Sequence, residues 1–161
     1  MSTDHLPKNQ RMRPGVKALI VHEGKILLIR ERVFREALNK EVIISDFPGG
    51  GLDFGEDLKD ALIREVKEEV GLDVEVGKVV GAWAFVLGPK MHPDKEIAGT
   101  HIVCIGYQCA VNGEPNIDVT QNPAQEDIFE ANWYTREELL ANEGELLRHP
   151  DMIAAVEALD I

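Results

Sequence analysis

The chain has 161 residues, 44% hydrophobic and 29% charged, a length and balance that fit one soluble globular domain. No apolar stretch is long enough to cross a bilayer, and the polar start Met1 to Pro14 lacks the apolar core of a secretory signal, so the expected compartment is the cytoplasm and residues 1–14 are expected to be a flexible arm. A formal net charge of -12 argues against non-specific binding to nucleic acid, yet it leaves room for an anionic substrate if a divalent cation stands between protein carboxylates and phosphate oxygens.

Val16 to Val21 and Lys25 to Arg30 are β-branched runs separated by His22-Glu23-Gly24, the pattern of a hairpin. Val42 to Phe47 is a third strand, closed by Pro48 and the triplet Gly49, Gly50 and Gly51, where a turn with unusual backbone angles is expected. After the loop Leu52 to Glu56, Asp57 is a candidate N-cap, with Asp60 adding negative charge to the first turn; the helix runs to about Val70 and stops at Gly71. Val74 to Leu87 and His101 to Val111 are further strands, joined by a polar loop with Pro89 and Pro93. Cys104 and Cys109 both fall in the second of these, roughly 17 Å apart and on opposite faces, out of disulfide reach. Gly113 to Gln125 reads as irregular loop and Ile128 to Tyr134 as a last strand. Thr135 and Glu138 form a capping box opening a short helix, and Pro150 begins a final one with Ile153, Val156 and Leu159 at helical spacing.

The helix from Asp57 to Val70 is where the sequence acts against helix stability. At roughly 100° per residue, Leu62, Ile63, Val66 and Val70 gather on one side and Glu65, Glu68 and Glu69 on another. An acidic helix face is usually only a solvated surface. Here, however, Glu65 and Glu69 stand at i and i+4, a like-charge spacing that costs about 0.2–0.5 kcal/mol. Glu68 and Glu69 also sit in the last turn, where the helix dipole disfavours anions by about 0.3–1 kcal/mol. A compensating cation resolves the conflict, and Mg²⁺ suits it, because hard cations take carboxylate oxygens and bridge them to phosphates. The glycine triplet fits close approach of backbone to a metal or phosphate, as well as a plain tight turn.

Gly50, five residues on Glu56, seven residues on Arg64-Glu65-Val66-Lys67-Glu68-Glu69-Val70-Gly71-Leu72: this series resembles an unbroken Nudix box, with every fixed position filled. The flanking Phe47-Pro48-Gly49-Gly50 and the downstream Trp133-Tyr134 with Glu137-Glu138-Leu139 resemble the same family. The resemblance implies a Nudix α/β/α sandwich with a mixed sheet between helices. It implies Glu65, Glu68 and Glu69 as metal ligands with the Gly49 carbonyl as a further one, and an Arg64–Glu56 ion pair that steadies them as ligand-orienting partners do. Members often add an acid from a loop before the final Trp; Glu126, Asp127 and Glu130 compete for that place, with Glu126 favoured.

The implied reaction is hydrolysis of a diphosphate linkage in a small nucleotide derivative, assisted by Mg²⁺ (Mn²⁺ as substitute), with two or more ions and with Glu68 or the loop acid accepting the proton. Trp83, Phe85, Phe34 and Tyr107 are candidates to stack on a base, although aromatics in apolar strands are more often core. Arg30, Arg32, Arg35 and Lys90 are candidates for phosphate or ribose, against ordinary surface charge. Pro89 lies near the place where similar ADP-ribose pyrophosphatases carry a proline, which tilts the expectation to nucleoside diphosphate sugars; a nucleoside triphosphate pyrophosphohydrolase is the alternative. An isomerase of the same fold would need a cysteine motif beside the metal site, a catalytically silent nucleotide-binding module would be expected to have lost box carboxylates, and no EF-hand-like loop is present. A homodimer is an expectation from the family alone.

Overall fold

The computed structural model describes residues 10–35, 38–87, 99–123, 126–142 and 144–161. The strands are β1 (Gln10–His22), β2 (Lys25–Arg35), β3 (Lys40–Asp46), β4 (Gly49–Gly51), β5 (Val74–Leu87), β6 (Gly99–Val111) and β7 (Ile128–Thr135), and the helices α1 (Leu58–Val70), α2 (Arg136–Ala141) and α3 (Pro150–Glu157). They build a seven-stranded mixed sheet of order β3-β2-β1-β6-β5, with β4 added to β1 and β7 to β2. The β1–β6 pair is parallel and the other pairs are antiparallel.

Because side chains alternate along a strand, β1 supplies two cores at once. Val16, Ala18 and Ile20 pack with Leu62, Val66 and Val70 of α1, while Leu19 packs on the other face with Met152, Ala155 and Val156 of α3. The sheet is therefore covered on both sides, an α/β fold of the sandwich type. Each fully buried Leu or Val contributes about 1.5–3 kcal/mol relative to exposure, which explains why both faces of β1 are apolar. Cys104 and Cys109 belong to opposite cores, and both thiols are free and buried.

Three local readings of the sequence are revised. Residues Gln10 to Pro14, expected in a flexible arm, are the start of β1 and pair in register with Gly99 to Val103; their side chains are largely exposed, so the strand is made by backbone pairing and leaves no apolar pattern to read. Gly49 to Gly51, expected to turn, form β4 on β1, with only Gly49 at a positive φ, 147°. β2 runs on to Arg35, well past Arg30, and pairs with β3 throughout that extension.

One junction matters for the site. The register between β1 and β2 holds only Val21–Ile26 and His22–Lys25, next to a turn in which Glu23 and Gly24 both have positive φ. Beyond it the two strands part: β1 takes up β4, and β2 takes up β3 and β7.

Candidate active site

A pocket of about 450 Å³ lies in that opening, lined on one side by Lys17 of β1 and the β4 glycines and on the other by Ile29, Glu31 and Phe34 of β2. α1 reaches it with its acidic face. The helix starts at Asp57, whose side chain accepts from the N–H groups of Lys59 and Asp60, and ends at Gly71 in the left-handed conformation (φ 72°). Its apolar stripe is fixed on the sheet, so the carboxylates of the opposite stripe are turned toward β4. Glu65 and Glu69 are buried, 7% and 2% exposed, while Glu68 stays partly exposed.

Backbone approach makes room for them. Glu69 Oε1 accepts from the Gly49 N–H at 2.7 Å. A Cβ at Gly50 would lie 2.6 Å from Glu65 Oε2, and one at Gly49 would collide with the Val16 carbonyl, so neither glycine tolerates a side chain without displacing the site.

Arg64 and Glu56 form a bidentate pair, Nε to Oε2 at 2.8 Å and Nη2 to Oε1 at 2.9 Å. Arg64 also donates from Nη1 to Glu65 Oε1 at 3.0 Å and to Glu68 at 3.4 Å, and from Nη2 to the Gly51 carbonyl at 3.4 Å, tying loop, strand and helix together. The Arg64 hydrogen bonds, with a further one from the Asp53 N–H, hold the Glu56 carboxyl down at about 2. Glu69 is affected in the opposite direction: burial pushes its carboxyl well above the usual range, with Lys17 opposing and Glu126 adding to the shift. Glu65 is raised by burial too.

Of the three loop acids, Asp127 pairs with Arg32 at 3.2 Å and Glu130 with Arg30 at 2.9 Å, and both arginines stack on Phe129. Glu126 faces the helix carboxylates. Burial, then Glu65 and Glu31, push its carboxyl up to about 7, and its Oε2 is buried without a hydrogen-bond partner. The loop before it is held by the Asp118 N–H donating to the Val70 carbonyl at 2.8 Å, and by the Asn122 amide donating to the Ile128 carbonyl at 3.2 Å.

An orphaned carboxylate oxygen turned toward crowded carboxylates is the donor set that a hard cation satisfies. Among the described residues no three acidic side chains converge on one point in this arrangement. Glu65 is held on Arg64 and Glu69 on the Gly49 N–H, so side-chain rotation would be needed to gather them about an ion.

Trp83 and Tyr107 are core residues, Trp83 against Phe47 at a ring-centroid distance of 6.0 Å, which removes them as candidates to stack on a base. Phe34, Phe85, Arg32 and Arg35 do line the pocket. Arg30 is engaged with Glu130, and Pro89 and Lys90 lie outside the described residues. Sequence reasoning missed Lys17, Glu31, Asp46 and Arg148. A lysine inside the apolar run of β1 is a signal that could have found the first; the others become neighbours only through the fold.

Comparison with known proteins agrees with this geometry. The NUDIX domain matches residues 11–156. A nucleoside triphosphatase NudI from Enterobacter sp. (strain 638) is 31% identical over 80% of this chain and 86% of its own length, and an RNA pyrophosphohydrolase from Campylobacter jejuni (strain RM1221) is 36% identical over 78% and 85%. The crystal structure of a MutT NUDIX hydrolase from Burkholderia pseudomallei superposes with a TM-score of 0.66 at 24% identity, covering 93% of this chain and 99% of that one. The chain belongs to the Nudix family of hydrolases, enzymes that act on pyrophosphate bonds.

Proposed function

We propose that the protein is a Mg²⁺-dependent pyrophosphohydrolase that cleaves a diphosphate linkage in a small nucleotide. The observation that carries this reading is the unpartnered Glu126 oxygen beside Glu65 and Glu69, where Glu69 and Glu126 line the pocket. Glu65, Glu68 and Glu69 of α1 would hold the metal, with the Gly49 carbonyl as a further ligand. When bound there, two or more Mg²⁺ ions, or Mn²⁺ in their place, supply positive charge to the phosphate oxygens and acidify water. Glu126 takes the proton from the attacking water, with Glu68 as the other carboxylate in reach of that role. Arg64, anchored by Glu56, ties the helix to the β4 backbone in one frame, from which the carboxylates would turn to the ion.

For the substrate, the relatives that cover most of this chain are a nucleoside triphosphatase and RNA pyrophosphohydrolases. These favour a 5′-triphosphate over the nucleoside diphosphate sugar expected from Pro89, and the apolar wall of Ile29, Phe34 and Phe85 suits a nucleoside. The test is turnover with Mg²⁺ of canonical and oxidised nucleoside triphosphates, a short 5′-triphosphate RNA, ADP-ribose and UDP-sugars, with Glu69→Gln and EDTA as controls. Release of pyrophosphate or phosphate from triphosphates that both controls abolish supports the reading. Turnover confined to ADP-ribose or UDP-sugars replaces the substrate class, and nucleotide binding without any turnover replaces the enzyme with a binding module.

A further inference from the structure

Along β2 the pocket wall changes character from residue to residue. Ile29, Glu31 and Val33 share one face of the strand, and the cross-strand neighbours of Glu31 on that face are Ile44 of β3 and Ile128 of β7. A half-buried carboxylate therefore stands among four aliphatic side chains, none of which can donate to it. Among the described residues Glu31 accepts no hydrogen bond and joins no ion pair, whereas Asp46 is engaged by Lys17 and Arg148, Asp127 by Arg32 and Glu130 by Arg30.

The charges around Glu31 do not favour an anion beside it. Lys17 and Arg148 meet Asp46 and Glu31, two against two. Burial raises the Glu31 carboxyl, with Lys17 opposing, Asp46 adding, and Arg148 and then Arg35 opposing more weakly. Such a stretch still holds both kinds of hydrogen-bonding group. The free Glu31 oxygens accept, and Lys17 and Arg148 keep N–H groups beyond those given to Asp46 and the Phe47 carbonyl. A hydroxyl group uses one of each. Two adjacent hydroxyls match the two oxygens of one carboxylate, in bonds strengthened by its charge, and an acid reads the ribose 2′-hydroxyl in this way in dinucleotide-binding folds.

Position along the pocket agrees. On one side Glu31 borders the carboxylate end, where it adds, after burial and Glu65, to the upward shift of Glu126. On the other, Val33 lies two residues on, roughly 7 Å at about 3.3 Å per residue, and opens the apolar wall of Phe34, Ile44 and Phe85. Carboxylates for a metal and its phosphates, then a hydroxyl acceptor, then an apolar wall follow the order of phosphate, ribose and base in a nucleotide.

We infer that Glu31 is a specificity-determining residue that accepts from the 2′- and 3′-hydroxyls of the substrate ribose, so that the protein takes ribonucleotides over their 2′-deoxy counterparts. This rests on the reading of the protein as a nucleotide-cleaving enzyme and adds which sugar it accepts. A deoxyribose leaves one Glu31 oxygen without its partner among aliphatic neighbours, which is the source of the discrimination.

The test has two arms, both with Mg²⁺ present. The first is kcat/KM for each ribonucleoside triphosphate against its 2′-deoxy form, in the parent, Glu31→Gln and Glu31→Ala. The second is calorimetric titration with α,β-methylene-ATP and its 2′-deoxy form, which reads the sugar without turnover. The parent should favour the ribo form by about 10-fold or more, mainly in KM. Glu31→Ala should bring that ratio to within about 2-fold of one through loss on the ribo form, and Glu31→Gln, close to the parent in shape, should fall between. A parent ratio near one overturns the inference, and so does a ratio retained in Glu31→Ala, since the residue would then act on both sugars alike through Glu126. Absence of both binding and turnover with every ribonucleotide overturns it too. An active parent that treats the two sugars alike sinks the ribose contact alone. An inactive parent whose ribo-selective binding is lost in Glu31→Ala sinks the hydrolase reading and leaves the contact standing.

Discussion

The same residue type behaves in opposite ways at the two ends of the Nudix helix. Glu56, in the loop before it, is gripped by two Arg64 nitrogens and a backbone N–H, and its carboxyl is held down at about 2. Glu69 and Glu126, at the buried end, have fewer partners than oxygens to satisfy, and both are pushed up. The first region is complete as folded, and its charges stabilise the frame. The second is left under-partnered, which is a cost to the folded chain unless another charge enters. The comparison separates a carboxylate whose partners are all within the chain from carboxylates that the chain leaves short of partners.

The largest effect should come from the under-partnered end. Glu69→Gln is expected to lower Mg²⁺-dependent turnover by about 10³-fold, several kcal/mol of lost charge stabilisation, with the fold intact by circular dichroism. A variant that retains most of its turnover would erase the distinction between the two regions. Arg64→Met attacks the complete end: activity should fall by about 10–100-fold, as for partners that orient ligands. Its Mg²⁺ affinity, read by calorimetry, should weaken with it.

Ligand addition should move the whole molecule. At Mg²⁺ about 100-fold over its dissociation constant the gain is about 2.7 kcal/mol, or roughly 5–10 °C in melting temperature. Glu69→Gln should lose most of that rise, while Glu56→Gln should retain most of it.

The smallest effect is in pH dependence, and its sign differs between the ends. Glu126 holds its proton more tightly folded than unfolded, so in EDTA the folded state binds more protons between pH 4.5 and about 7, and stability falls as pH rises through that window. Glu126→Gln should reduce this slope, leaving the part due to Glu65 and Glu69, and melt about 2–4 °C higher than the parent at pH 8. Glu56 has the reverse shift, so its stabilisation is present above pH 4.5 and is lost as pH falls toward about 2. The parent should therefore melt above Glu56→Gln at neutral pH, with the gap closing in acid. Slopes of the same sign would show that the two carboxylates share one environment.

What could be read in advance follows from how local each signal is. α1 was legible down to its caps, because Asp57, the apolar stripe and Gly71 lie within one stretch of chain and follow helical spacing, although Ile63, read into the stripe, faces outward. β4 was not, since three glycines carry no side-chain pattern and their strand character comes from pairing with β1. The strand at Gln10 to Pro14 escaped notice for the same reason: exposed Arg11, Met12 and Arg13 are placed by β6. Glu126, Asp127 and Glu130 were named together, and only packing separates them, two being taken by Arg32 and Arg30. Asp46 and Arg148 are 102 positions apart, so their contact had no trace in the order of residues.

The short register between β1 and β2 gives the molecule two leaves hinged at one turn. The leaf with β1, β4 and α1 holds Glu65, Glu68 and Glu69, and the leaf with β2, β3 and β7 forms the opposite wall with Glu31, Phe34, Arg35 and the neighbouring Glu126. Substitutions at Val33, Phe34 or Ile44 should reshape what the cleft admits while leaving the carboxylates of α1 in place. A chain built this way is free to change its diet while keeping its tools.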